Sequence, residues 1–159
     1  MAEICQIRTA DVALVGSVWA LKFDAEAGPL KNANAERVLP IHPGLIKSGF
    51  IDFVKMLPAG PVFPALPLDK FKSRGGNGTK VLGRWVRSLG ITDETISPSH
   101  SWRHRFRTVA RRNNLSQEIV NAMLGHGARN IGEAYGEYEL ISMLREIEKI
   151  PCPVYGRAD

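Results

Sequence analysis

The chain has 159 residues, enough to fold as one domain around a buried core, and its content of 44% hydrophobic and 23% charged residues is ordinary for a globular protein. A net charge of +5 suits a polyanionic partner, although many basic proteins bind no nucleic acid. Two cysteines make no disulfide framework, no apolar run could span a membrane and no secretory leader is evident, so we expect a cytoplasmic protein with free thiols.

The first part of the chain is predicted to carry a small β-hairpin or meander between helices. Residues 2–7 have the pattern of the last turns of a helix. Residues 16–23 and 37–41 are strand-like, and residues 24–29 are rich in Gly, Pro and Asp, which is typical of a turn. Pro43 suits the start of a following helix.

Helices are predicted for most of the remaining chain. Apolar residues continue at helical spacing after Pro43, with a break at Gly49. Four prolines make residues 58–67 a loop, and glycines and basic residues extend the loop over 71–78. Thr79 is then a candidate N-cap for an amphipathic helix that ends at Gly90.

Three further helices follow. Ser99 is predicted to cap the first, whose buried face would comprise Trp102, Phe106, Val109 and Ala110. Ser116 opens the second and Gly125 ends it. Residues 140–150 form an amphipathic third, which Pro151 ends. The expected organisation is one domain over residues 1–150 and a loose tail over 151–159.

The most informative pattern is His100-x-x-Arg103, followed by Leu124-Gly125-His126 and then Tyr135. Cleavage of a phosphodiester without a metal requires a nucleophile, cations at the non-bridging oxygens and a proton for the leaving oxygen. Arg103 can hold two phosphate oxygens with its planar fork, and His100 shares its helix face at the N-terminal end, where the helix dipole favours an anion. Tyr135 could be the nucleophile. The pattern indicates phosphoryl transfer on DNA.

With these residues the chain resembles the catalytic domain of the tyrosine recombinases, the phage-integrase family found in mobile elements. Nearly the whole chain takes part, to about residue 140. The supporting segments are Glu3-Ile4-Cys5-Gln6-Ile7, Asp11-Val12, Lys31 and Arg37-Val38-Leu39-Pro40-Ile41-His42-Pro43. The resemblance implies a mainly α fold with a small antiparallel β-sheet (α+β), like that of DNA breaking-rejoining enzymes. It also implies site-specific DNA recombination or integration.

The resemblance also implies roles for individual residues. Tyr135 would attack the phosphate, with Tyr138 and Tyr155 as competitors for this role. His126 would hydrogen-bond the scissile phosphate. Lys31 would protonate the leaving 5′-oxygen, with Lys22 as the alternative. Glu3 would support the site. The other cations of the basic stretch are candidates for DNA contact, namely Arg105, Arg107, Arg111 and Arg112.

One departure from the family is that its first catalytic arginine, three residues before the position of Glu3, would fall before Met1. We therefore expect a fragment of a longer enzyme. The expected partners are double-stranded DNA and further copies of the chain, assembled as a tetramer on DNA, with no membrane. No metal or cofactor is expected, because no ligand spacing occurs and Gly75-Gly76-Asn77-Gly78 lacks the Lys-Ser/Thr of a nucleotide-binding loop. Two alternatives stay open: a DNA-binding remnant without turnover, and a domain like that of type IB topoisomerases.

Overall fold

The structure, a computed structural model, describes residues 2–28, 36–125 and 139–152. Over these ranges the fold is mixed, with helices packed around a three-stranded antiparallel sheet. This agrees with the predicted class of helices with a small antiparallel sheet. The helices are α1 (Ala2–Gln6), α2 (Pro43–Lys47), α3 (Phe50–Met56), α4 (Gly75–Ser88), α5 (His100–Arg112), α6 (Gln117–Met123) and α7 (Leu140–Ile147), together with a 3₁₀ turn at Thr9–Asp11.

The sheet has the order β1-β2-β3, with β1 at Val12–Val15, β2 at Val18–Phe23 and β3 at Arg37–Pro40. The prediction of β2 and β3 is confirmed, whereas β1 was missed. Three of its four residues are exposed, so it lacks the alternation of a half-buried strand. Residues 16 and 17 form the turn between β1 and β2 and do not belong to the strand, because Gly16 has a positive φ of 60°.

The break predicted at Gly49 is confirmed. Gly49 has a φ of 86°, in the left-handed region, and separates α2 from α3. Before α2, the Nδ1 atom of His42 accepts a hydrogen bond from the Gly44 N–H (2.9 Å) and caps the helix. The Nε2 atom of the same ring lies 3.0 Å from the Ile150 carbonyl oxygen, which ties this corner to the chain after α7.

The predicted start of α4 at Thr79 is wrong, because the helix already begins at Gly75. The Ser73 hydroxyl accepts a hydrogen bond from the Gly75 N–H (3.1 Å), and Thr79 lies inside the helix with its hydroxyl donating to the Gly75 carbonyl (3.0 Å). The glycines that resembled a loop serve helix packing instead. A Cβ atom at Gly78 would lie 2.2 Å from the Cys5 Sγ atom, so glycine at this position lets α4 approach α1 closely.

The core consists of three adjoining apolar clusters. The first packs Ile7 and Phe23 against Val54 and Val62. The second joins α6 to α7 through Ile119, Met123, Met143 and Ile147, and the third consists of Ala110, Leu115 and Val120. Leu39 of β3 contacts the first and second clusters, and Phe106 of α5 contacts the second and third. The sheet and the helical half are therefore packed together rather than separate.

Two helix predictions need correction. Trp102 was expected in the core but is 58% exposed, while Phe106 and Ala110, one and two turns further along α5, pack against the apolar clusters. The last helix, α7, ends at Ile147 rather than at residue 150. Within the ranges that the structure describes, no helix has the length and apolar character needed to cross a membrane.

Candidate functional site

The N-terminal end of α5 presents His100 and Arg103 on an exposed surface. Ser99 occupies the N-cap position as predicted but makes no side-chain capping hydrogen bond. The helix holds five arginines and no carboxylate, which gives this part of the surface a strong positive charge. Among the arginines expected to contact DNA, Arg105, Arg111 and Arg112 are exposed.

Two arginines of α5 join it to the last turn of α6. The guanidinium of Arg103 donates a hydrogen bond to the carbonyl oxygen of Leu124. One turn further along α5, the Nη2 atom of Arg107 donates to the Oδ1 atom of Asn121 (3.2 Å). The half-buried position of Arg107 gives it a role between the helices. The segments His100-x-x-Arg103 and Leu124-Gly125, distant in the sequence, thus meet in the fold.

A third arginine, Arg37 at the start of β3, lies against the same end of α6. Its Nε atom donates to the Met123 carbonyl (3.0 Å), and its two terminal nitrogens donate to the two carboxylate oxygens of Glu3 at 3.2 and 2.9 Å. The guanidinium carbon lies 4.8 Å from the centre of the Phe23 ring. A Cβ atom at Gly125, where φ is 65°, would come within 3.0 Å of the Arg37 Nη1 atom. The guanidinium is therefore held on several sides.

The carboxylate of Glu3 is kept charged by these arginines. Burial alone would raise the pKa of Glu3, but the hydrogen bonds and charge of Arg37, with smaller contributions from the charged amino terminus and then from Arg103, outweigh it and lower the pKa. Because the charge of Arg103 acts on Glu3, the two residues belong to one electrostatic cluster. We call Glu3, Arg37, Arg103 and the carbonyls of Met123 and Leu124 the α6-end cluster.

Lys22, the alternative to Lys31 as proton donor, forms an ion pair with a neighbouring carboxylate. Its ammonium lies 2.8 Å from an Asp24 carboxylate oxygen, and this hydrogen bond and charge raise the pKa of Lys22. A raised pKa makes an ammonium group a poorer proton donor. The Asp24 carboxylate also forms an ion pair with Arg8, which in turn pairs with Asp11 in the 3₁₀ turn. Lys22 therefore lies in a surface network of charges with Asp24, Arg8 and Asp11.

Several predicted site residues lie outside the described ranges, namely Lys31, His126 and Tyr135, as do the competitors Tyr138 and Tyr155. The described part of the site consists of His100, Arg103 and Glu3. Arg37 was treated only as part of the family-like segment, and its place in the site was missed. The available signal was an arginine opening a strand of otherwise apolar residues, where a charged side chain needs a partner.

No family model, curated protein or solved structure matches the chain. Its function must therefore be inferred from the residues themselves. Over the described ranges, no group of three or more metal-ligating side chains comes together. The chemistry that the described residues offer is that of the Arg103 guanidinium, fixed by Leu124 beside the N-terminal end of α5, which suits an anion.

Proposed function

We propose that this chain is a domain that breaks and rejoins DNA through a phosphotyrosine linkage, as tyrosine recombinases do. The observation that carries the proposal is the hydrogen bond from Arg103 to the Leu124 carbonyl. It joins two motif segments that are 21 residues apart in the sequence, and His126 follows Leu124 by two residues. This contact supports the proposal because it brings the two motif segments side by side.

Arg103 would hold the phosphate of the DNA strand. A guanidinium has five N–H donors in a rigid plane, so one hydrogen bond to Leu124 can fix the side chain while other donors bind two non-bridging oxygens. Arg103 is exposed, so a DNA strand can reach it. His100 lies one turn earlier on the same face, and the N-terminal end of α5 adds its dipole.

The reaction exchanges one phosphoester for another. The Tyr135 oxygen forms a bond to phosphorus while the bond to the 5′-oxygen of the DNA breaks, and the imidazole of His100 accepts the phenolic proton. Lys31 gives its proton to the leaving 5′-oxygen. Arg103 and His126 neutralise the charge on the non-bridging oxygens. The phosphotyrosine keeps the energy of the broken linkage, and attack by another 5′-hydroxyl rejoins the strand. Paired reactions on a tetramer would recombine two duplexes.

The exposed cations of α5 supply the attraction to DNA. Arg105, Arg111 and Arg112 are exposed on α5 and have no carboxylate neighbour within the helix. Each phosphate contact releases a counterion, so binding should weaken with salt by a slope of about −0.9 per contact in a double-logarithmic plot. Phosphate contacts carry no sequence information, so the target site must be found by selection.

The test is to trap the covalent intermediate on a library of duplexes with a randomised centre. The protein is incubated with the library, denatured with detergent, and recovered with any DNA that stays attached. Sequencing then gives the preferred site. We expect adducts with the wild-type chain and with Tyr138→Phe, and none with Tyr135→Phe, because only the latter removes the proposed nucleophile.

Arg103→Met should reduce adduct formation by about two to three orders of magnitude, as expected for loss of one preorganised charge. Tyr135→Phe should bind duplex DNA with wild-type affinity, which separates chemistry from binding. Adducts formed equally by Tyr135→Phe would refute the assignment of the nucleophile. Salt-sensitive binding without adducts for any variant would instead favour a DNA-binding protein without turnover.

A further inference from the structure

We propose that Arg37 is a positioning residue of the site, which fixes the end of α6 against α1 and so sets the place of Arg103. This inference rests on the proposed function for its consequence in catalysis. The geometry behind it does not depend on that function. It consists of a single guanidinium that contacts Glu3 on α1, Phe23 on β2 and the backbone at the end of α6.

Arg37 is unsuited to hold a phosphate. Its Nε atom donates to Met123, its two terminal nitrogens each donate to Glu3, and one face of the guanidinium covers the Phe23 ring. The side chain is only 13% exposed, compared with 29% for the Glu3 side chain. A phosphate would have to displace a carboxylate that already neutralises the charge. Binding substrate is therefore left to Arg103.

Arg37 and Arg103 hydrogen-bond to successive residues at the C-terminal end of α6. Arg37 donates to the carbonyl of Met123, and Arg103 donates to the carbonyl of Leu124. Carbonyls at the end of a helix lack partners within it, so side-chain donors determine their surroundings. A change at Met123 would move Leu124 and the guanidinium attached to it. Small shifts of a phosphate-binding group carry large costs in rate, because transition-state contacts require close alignment.

Gly125 adds a steric reason for the arrangement. With a φ of 65° it turns the chain away from α6, and the space beside it is filled by the Arg37 guanidinium. His126 comes next in the sequence. Lysine could not replace Arg37, because a single ammonium cannot donate in one plane to two carboxylate oxygens and a carbonyl. The position requires the shape of a guanidinium as well as its charge.

The first test measures amide hydrogen exchange of the full chain at Leu124 and Gly125, relative to Val120 in the buried part of α6. Exchange at Val120 reports any change in global stability, so that local opening at Leu124 and Gly125 can be distinguished from it. Arg37→Met should raise the relative exchange by about tenfold, the expected sign of local opening, and Arg37→Lys should give an intermediate rise. If Arg37→Met does not fold, the lysine variant alone decides the matter.

Arg87→Met is the matched control. Like Arg37, Arg87 donates three hydrogen bonds, but to the carbonyls of Ile91, Asp93 and Ile96 in the loop after α4. It should leave the relative exchange at Leu124 and Gly125 unchanged. An equal response to both substitutions, or no response to Arg37→Met and Arg37→Lys, would overturn the proposal.

The second test titrates binding to a fluorescent duplex of mixed sequence against salt. Arg37→Met should keep the wild-type slope, whereas Arg103→Met should lose about 0.9, the value of one phosphate contact. An equal loss in Arg37→Met would make Arg37 a phosphate ligand and refute the positioning role. A wild-type slope of zero would refute the proposed function instead, while the exchange measurement would still decide the role of Arg37.

Discussion

Replacing Gly78 and Gly83 by alanine should change the stability of the chain in opposite directions, although both glycines lie in α4. Alanine in a helix interior is favoured over glycine by up to about 1 kcal/mol. At Gly83 an added Cβ meets no atom within 4 Å, so Gly83→Ala should stabilise the protein by about 0.5–1 kcal/mol. This variant is the control for helix propensity.

At Gly78 the same methyl group would lie 2.2 Å from the Cys5 Sγ atom, 3.2 Å from its Cβ atom and 3.3 Å from the Leu66 Cδ1 atom. Cys5 is 4% exposed, so its thiol has little room to move and α1 must shift from α4. Overpacking of this kind costs about 1–3 kcal/mol, which exceeds the gain in helix propensity. The net loss for Gly78→Ala should be about 1–2 kcal/mol.

The assay is urea unfolding of both variants, of Cys5→Ala and of the double variant Cys5→Ala/Gly78→Ala, with the slope m compared throughout. Removing the thiol should relieve the clash, so the double-mutant cycle should show a favourable coupling of about 1 kcal/mol or more. If Gly78→Ala stabilises as Gly83→Ala does, the close approach of α1 and α4 is refuted. The result matters for the site, because α1 carries Glu3.

Three further outcomes are expected. Contacts in the α6-end cluster lower the pKa of Glu3 from its ordinary 4.5, so the stabilisation they give is complete above pH 4.5 and is lost as the pH falls through the lowered pKa. Urea unfolding at a series of pH values should therefore show that Glu3→Gln costs about 1–3 kcal/mol at neutral pH and progressively less in acid. Trp102→Ser should change the unfolding free energy by less than about 0.5 kcal/mol, and a loss of several kcal/mol would return this residue to the core. Ile147→Ala should lower the melting temperature through a loss of about 2–4 kcal/mol, because Ile147 is 8% exposed and packs against Met123; a neutral effect would mean that α7 does not dock as described.

Much of the secondary structure could be predicted from local patterns. The strands β2 and β3, the break at Gly49 and the helix ends near Gly90 and Gly125 depend on spacing and on residues that favour particular backbone angles. The start of α4 could not be predicted, because its glycines are poor helix formers on their own. Gly78 packs closely against Cys5 of α1, and that contact is between distant parts of the chain.

The site could be predicted only in part, for a related reason. The placement of His100 and Arg103 on one face of α5 could be predicted, because their spacing on a helix is a local property. Arg37 was missed because its partners Glu3 and Met123 lie 34 and 86 residues away. The exposed position of Trp102 was missed because periodicity shows which residues share a face of α5, but not how wide a face the neighbouring elements cover.

The partners of Arg37 lie on both sides of it in the sequence, so they are synthesised at different times. Glu3 leaves the ribosome before Arg37, so their ion pair can form early, whereas Met123 follows Arg37 by 86 residues. At about 5–20 residues per second, that interval is roughly 4–17 s. During this time the Arg37 guanidinium of the nascent chain can contact Glu3 but not Met123. The two contacts are made together only after α6 has emerged, so an incomplete chain has no assembled α6-end cluster.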